Sequence, residues 1–311
     1  MSIFELPRPI RMEVSSPAGA ELSVTLWRAV PESRIASEVG ESSVSRPGVL
    51  LVHGLASNSR MWDGVVYALF DMGYSVAAVD LRGHGQSSKP DQSYDFQTIC
   101  VDLDHVLIAL SEKDPGPWTR PIIAGQSWGA NVVVEFAATR PWSVSGTVLV
   151  DGGTIELSKA FPEWEECERV LAPPVITGLT PEDLDARIRS VYPDWPETGI
   201  QGMLANFIVN ADGFVEPCLS FERHMKILRH LWEHRPGVLF EKMMTPVLFA
   251  PAAGSNSAGP ASDKQEEIAK AAALLAKSKV QWFNSDHDIH AQHPLELAQL
   301  IDSSYNDGFF D

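Results

Sequence analysis

Basic residues are scarce in this chain. Among 311 residues, 24 Lys and Arg stand against 41 Asp and Glu, a formal charge of −17 at pH 7. A surface that acidic repels phosphate, so neither nucleic acid nor an anionic membrane is expected as a partner. Cysteine is scarce too. Cys100, Cys167 and Cys218 are odd in number, far apart and in no C-x-x-C pair. That argues against a disulfide framework or a zinc site and for a reducing compartment. No run of 18 apolar residues is present, so no segment is expected to span a bilayer. The start, Met1-Ser2-Ile3-Phe4-Glu5, has neither the basic nor the apolar segment of a secretory signal, and a cytoplasmic protein is expected. Internal repeats and long charge blocks are also missing.

What remains is ordinary for a globular protein: 44% of residues are hydrophobic and 21% charged. A chain of this length has material for one large core and a subsidiary domain. Two β-rich stretches, 10–14 and 22–27, flank Ser16-Pro17-Ala18-Gly19 and predict a hairpin. Residues 31–46 are polar and read as a surface loop. Unalternated apolar runs follow at 48–52, 75–79, 121–124 and 147–150, with two more at 246–250 and 280–283. Such runs are typical of strands buried on both faces. Helical spacing fills 60–72, 96–111, 130–139, 264–277 and 295–303. Strands alternating with helices predict an α/β protein with a doubly wound, mostly parallel sheet. Residues 154–243 break the pattern, with short helical stretches at 181–191, 202–210 and 220–234 and no convincing buried strand. They read as a helical cap inserted between two late strands. The core is then 1–153 with 244–311, and the cap is 154–243.

The strongest chemical signal is Gly125-Gln126-Ser127-Trp128-Gly129, which directly follows one apolar run and directly precedes a helical stretch. A G-x-S-x-G at a strand-to-helix turn is a nucleophile elbow, in which the strained turn crowds the positions two before and two after the serine. The helix that follows aims its positive end at the serine, where an oxyanion would form. A serine is a weak nucleophile without a base, and nine histidines compete for that role. Gly83-x-Gly85 after a strand invites a dinucleotide reading, but Ser88 stands where a third glycine is wanted, and no cofactor is expected.

These residues resemble the α/β-hydrolase superfamily, in its serine esterase and lipase members with a helical cap. Beyond the elbow, His53-Gly54 closes a strand, Asp80-Leu81-Arg82-Gly83-His84-Gly85-Gln86-Ser87 is similar to the D-x-R-G-x-G-x-S loop, and His287 precedes Pro294 by seven residues. The resemblance implies the order serine, acid, histidine along the chain, so His287 is the expected base and His290 the fallback. It implies an oxyanion hole made by the backbone N–H groups of Leu55 and Trp128, with the His53 imidazole serving only its own loop. The commonest members carry the acid after the next-to-last strand. Here Pro251-Ala252-Ala253-Gly254-Ser255-Asn256-Ser257 offers no carboxylate, which leaves Asp151, after the preceding strand, as the expected acid, with Asp263 and Asp286 as rivals. Asp286 to His293 also invites a metal reading, but histidines at steps of three drift around a helix, so no metal site is expected.

The cap carries Trp164, Phe207 and Phe221, which together with Trp62 and Trp128 are expected to line an apolar substrate pocket. Arg223, His224 and Lys226 form a small basic cluster that is either a solvated helix face or a contact for a substrate carboxylate. The expected protein is a monomeric or homodimeric serine hydrolase that takes a small apolar ester or lactone. Ser127 in the elbow argues against dehalogenation and epoxide hydrolysis, which in the superfamily use an Asp there. Carbon–carbon bond hydrolysis, thioester cleavage, perhydrolysis, cyanohydrin cleavage and non-catalytic ligand binding use the same architecture and stay open.

Overall fold

A computed structural model describes residues 8–29, 46–254 and 261–311. Met1–Glu5, nearly all of the polar stretch 31–46, and Ser255, Asn256 and Ser257 lie outside the described residues.

Among the described residues, eight strands form one sheet in the order β1-β2-β4-β3-β5-β6-β9-β10. β1 (Ile10–Ser16) and β2 (Ala20–Trp27) make the expected antiparallel hairpin around residues 17–19. β2 also runs antiparallel to β4. The rest of the sheet is parallel: β3 (Val49–Val52), β4 (Val76–Val79), β5 (Ile122–Gln126), β6 (Gly146–Val150), β9 (Val247–Ala250) and β10 (Ser278–Val280). β3, β4, β5, β6 and β9 are buried at every residue, which is why their sequences run apolar without alternation.

Two apolar layers result, one on each face. Leu50 and Val52 point into a layer shared with α2 (Phe96–Lys113), α4 (Trp128–Thr139) and α10 (Ser262–Ala273). Val49 and Leu51 point into the opposite layer, with α1 (Asp63–Asp71) and α12 (Pro294–Asn306). The period of two along each strand thus sorts its residues between the layers. The D-x-R-G-x-G-x-S loop after β4 braces this frame. Arg82 forms a two-pronged ion pair with Asp102 of α2 at 2.6 and 2.7 Å, both side chains fully buried. Asp80 accepts the Ser59 and Gln86 N–H groups at 2.7 and 2.8 Å. These polar groups are consumed by the fold.

Between β6 and β9 the chain forms α5 (Leu157–Ala160), α6 (Trp164–Leu171), α7 (Pro181–Val191), α8 (Glu197–Leu204) and α9 (Phe221–Glu233). The helix expected over 202–210 ends early. Phe207–Val209 instead forms β7, paired with β8 (Val215–Pro217) in a small antiparallel hairpin. Phe-Ile-Val suits a strand, and the Asn210 side chain accepts the N–H groups of Asp212 and Phe214 to hold the turn, with Gly213 at φ 85°. The sixth apolar run is also displaced: β10 lies at 278–280, and Phe283 makes a separate bridge to Ala252.

Candidate active site

The Gly125–Gly129 turn forms a tight corner between β5 and α4. Ser127 sits at φ 53° and ψ −122°, a left-handed conformation that L-residues adopt only under constraint. A side chain at Gly125 would run into the carbonyl of Gly129, and one at Gly129 into the carbonyls of Val52 and His53. Glycine at both positions is therefore a packing requirement. Trp128 is the first residue of α4, so its N–H precedes the intrahelical ladder and is left to bind elsewhere. The loop after β3 lies against the same corner, since a Cβ on Gly54 would come within 3.3 Å of the Ser127 Cβ. Leu55, next in that loop, packs half-buried against both the core and the inserted helices. His53 serves its loop, with Nδ1 on the Gly54 carbonyl at 2.7 Å and Nε2 accepting the Leu81 N–H at 3.0 Å.

Asp151 directly follows β6, beside the elbow. The Ser127 N–H donates to the Val150 carbonyl at 3.0 Å, and Gly152 approaches the Ser127 backbone so closely that a Cβ there would meet its carbonyl. Asp151 also has a positive φ, 42°. Its carboxylate oxygens are divided. Oδ2 accepts from His287 Nδ1 at 2.6 Å, while Oδ1 accepts from the Ala252 N–H at 2.8 Å and from Lys264 Nζ at 2.5 Å. Burial alone would raise the Asp151 carboxyl, but the hydrogen bonds from His287, Lys264 and Ala252 outweigh it and hold the group below its ordinary value. For His287 burial works downward, yet the hydrogen bond and charge of Asp151, helped by Asp288, leave the imidazole above its usual value, with Lys264 opposing.

His287 is carried on the loop after β10, tied down on several sides. The Gly254 N–H donates to the Ser285 carbonyl at 3.1 Å, and Ser285 Oγ binds Gln292 at 2.7 Å. Gln126, inside the elbow, donates from Nε2 to the His287 carbonyl at 3.3 Å and weakly to Asp288 at 3.4 Å. The rival residues lie elsewhere. Asp263 is exposed and accepts the Lys264 backbone N–H, and Asp286 is exposed on the loop. His290 is fully buried against the Trp62 ring at 4.5 Å, and burial depresses it to about 3. His293 lies 3.8 Å from Glu296. The three late histidines therefore face three different surroundings. Among the described residues, no group of three His, Cys, Asp or Glu is arranged to hold a metal ion.

A cavity of about 530 Å³ lies between the loop after β3 and the inserted segment. Ala56, Ser57 and His84 of the core border it, with Phe207, Phe221, Met203, Leu219 and Pro173–Ile176 from the insertion. Of the five expected lining residues, Phe207 and Phe221 are there. Trp62 is not, because it is wholly buried beneath α1 with His290. Trp164 is not either, since it packs edge-on to Trp232 with Arg229 over both rings. Trp128 is buried and reaches the cavity only through His84, which stacks on it at 5.6 Å. The basic cluster on α9 also divides. Arg223 binds Asp91 at 2.8 Å and the Pro90 carbonyl at 3.1 Å, and Lys226 donates to the Asp91 carbonyl. These two residues clamp the inserted helix to the core, which is neither a solvated face nor a substrate contact. His224 alone of the cluster lines the cavity, where burial lowers it to about 4.

Sequence reading missed Lys264 and the bridging part of Gln126. Gln126 lay in view inside the motif, but Lys264 had no signal, being 113 positions from its partner.

Comparison with known proteins agrees with this architecture. A model of the alpha/beta hydrolase fold matches residues 47–175. An uncharacterised protein of Mycobacterium tuberculosis is 35% identical over 111 residues, 36% of this chain and 30% of that protein. A haloalkane dehalogenase of Mesorhizobium japonicum is 32% identical over 126 residues, 40% of this chain and 37% of the dehalogenase. The matched stretch therefore spans only 30–37% of these relatives' length. The solved structure of E-2-(acetamidomethylene)succinate hydrolase superimposes with a TM-score of 0.71 at 20% identity, covering 96% of this chain and 99% of the other. A thioesterase domain from the curacin biosynthetic pathway gives 0.71 at 20% identity over 95% and 99%. At such identity the likeness is one of fold. Among the described residues, no helix is long and apolar enough to cross a membrane.

Proposed function

Taking as premise that this chain is an α/β-hydrolase by fold, we propose that it is a serine hydrolase cleaving a carboxylic ester or lactone through an acyl-enzyme. One observation carries the reading: the Asp151–His287 hydrogen bond of 2.6 Å stands beside a serine held at positive φ on a strand-to-helix corner. With Nδ1–H committed to Asp151, the His287 Nε2 lone pair is left to take a proton. Ser127 Oγ attacks the carbonyl carbon as its proton passes to Nε2. The oxyanion is received by the Leu55 and Trp128 N–H groups, with the positive end of α4 behind them. The imidazolium returns its proton to the alcohol oxygen as the ester C–O bond breaks. Water then attacks the acyl-serine, again giving a proton to His287, and the carboxylic acid leaves as Ser127 is restored.

In this reading residues 154–243 are a cap over the carboxyl edge of the sheet. The cavity reaches the core at Ala56, Ser57 and His84, next to Leu55, and is not bordered by Ser127, Asp151 or His287; its mostly apolar lining from the insertion supports a small neutral substrate with an apolar body. A serine in the elbow supports an acyl-enzyme over the alkyl-enzyme chemistry implied by a dehalogenase relative.

The test compares wild type with Ser127→Ala on p-nitrophenyl esters of increasing acyl length. Turnover by wild type alone, with an optimum at short to medium chains, is expected. Equal hydrolysis by both proteins, or chloride release from a haloalkane, sinks the reading.

A further inference from the structure

We propose that Lys264 is a positioning residue of this reaction: its ammonium turns the Asp151 carboxylate so that one oxygen is fixed toward His287, and sets a positive charge against the acid–base pair. The inference rests on the assignment of Asp151 and His287 above.

A carboxylate at the end of a strand is free to rotate about its Cβ–Cγ bond. Here Oδ1 is pinned by two donors, the Ala252 N–H and Lys264 Nζ, and Lys264 also donates to the Ala252 carbonyl at 2.8 Å. Ala252 lies just past β9 and Lys264 in the first turn of α10, so two elements converge on one oxygen. The stretch after β9 in which no carboxylate stands thus supplies donors to the carboxylate after β6. Oδ2 is left in line with His287. The Asp151 side chain is 6% exposed and that of Lys264 is 35%, so the acid is dry while the lysine side chain is partly open to water. Holding an ammonium there costs little desolvation, and its field on a dry carboxylate is weakly screened.

The charge has a direction. Without Lys264, Asp151 and a neutral His287 carry one negative charge together; with it, they carry none. Protonation of the imidazole is therefore harder when the lysine is present, and His287 stays a competent base to lower pH. Other charged groups face the pair. Asp286 and Asp288 flank His287 on its own loop, His290 lies behind it on the following turn, and Glu267 shares a small cavity with Asp151 and Lys264. Of these, Asp288 pulls the other way, and Lys264 opposes it.

Lys264 does not border the large apolar cavity, so its effect belongs in kcat and not in KM. Lys264→Met, Lys264→Gln and Lys264→Arg are compared with wild type by kcat and KM across pH, and by NMR titration of the His287 ring without substrate. For Met, kcat is expected to fall about tenfold near pH 6 but less than about threefold near pH 9, with KM unchanged. The His287 NMR midpoint should move to higher pH in Met and Gln and return in Arg. Gln, which keeps a donor without the charge, should recover more of the high-pH rate than Met. A uniform loss at every pH with the NMR midpoint unmoved means ordinary packing and overturns the proposal, as does a Met variant indistinguishable from wild type. The NMR arm needs no turnover. If wild type cleaves no ester but the midpoint moves, the functional reading fails while the Asp151–Lys264 coupling stands.

Discussion

Replacing Asp151 with Asn tests the site where its geometry is most specific. The amide matches the carboxylate in shape but has one oxygen and one NH2. Two donors, the Ala252 N–H at 2.8 Å and Lys264 Nζ at 2.5 Å, converge on one side of the group, and one, His287 Nδ1 at 2.6 Å, on the other. The amide oxygen must turn to the side with two donors, so the NH2 turns to the histidine. Nδ1 is then obliged to accept, and the ring proton moves to Nε2. A protonated Nε2 has no lone pair for Ser127. The loss also includes the negative charge that stabilises the imidazolium. Together these are worth about three to four orders of magnitude in kcat, or roughly 4–5.5 kcal/mol of transition-state stabilisation. The assay is steady-state hydrolysis of a p-nitrophenyl ester, with circular dichroism to show the fold retained. Asp263→Asn and Asp286→Asn, which alter no hydrogen bond to His287, are the controls and should stay near wild type. An Asp151→Asn enzyme within tenfold of wild type refutes the reasoning, and a large loss in either control moves the acid there.

The remaining expectations concern the base, the pH profile and the frame. His287→Ala should abolish turnover, whereas His290→Ala should keep most activity and lose about 2–3 kcal/mol of stability through the void left beside Trp62; kinetics with thermal melts separate the two, and the reverse pattern exchanges their roles. Because Asp151 raises His287 above its ordinary 6.5, the acid limb of kcat/KM should lie above pH 6.5, with activity rising as the imidazole deprotonates; a limb clearly below that value contradicts the pairing. Stability runs oppositely for the two partners: the His287 contribution is full below its unfolded pKa and fades as pH rises through the raised value, whereas that of Asp151 is present above its unfolded pKa and fades as pH falls through the lowered one. Arg82→Met strands the buried Asp102 carboxylate and should cost about 3–5 kcal/mol in urea unfolding; a change under about 1 kcal/mol means that water reaches the pair.

The sheet and the elbow were legible because their signals are local. β3, β4, β5, β6 and β9 announce themselves by apolar runs, and Gly125 to Gly129 sit within one turn. Asp151 was reachable only through a family resemblance and the lack of a carboxylate at Pro251–Gly254. Lys264 was out of reach, since a lysine in the first turn of an exposed helix looks like any solvated charge until folding brings Asp151 to it. Trp62 misled for a related reason: an aromatic near a cleft in sequence carries no sign of which face of its helix is covered. Residues 202–210 fit helical spacing as far as Leu204, but the Asn210–Gly213 turn draws Phe207–Val209 into a hairpin. Arg223 and Lys226 were ambiguous because their partner, the loop at Pro90 and Asp91, lies more than a hundred residues away.

The three key side chains do not share one foundation. Ser127 and Asp151 grow from β5 and β6, adjacent central strands whose register pairs Gln126 with Val150. His287 arrives from beyond β10, the last strand of the sheet, held to β9 by three paired residues, Ser278 to Val280. The border of a sheet opens more readily than its middle. Warming should therefore detach His287 while Ser127 and Asp151 stay seated, so that the proposed hydrolase falls silent at temperatures where most of its structure persists. Recovery on cooling would then need only the margin to dock again, and its speed would be that of a local closure rather than of refolding.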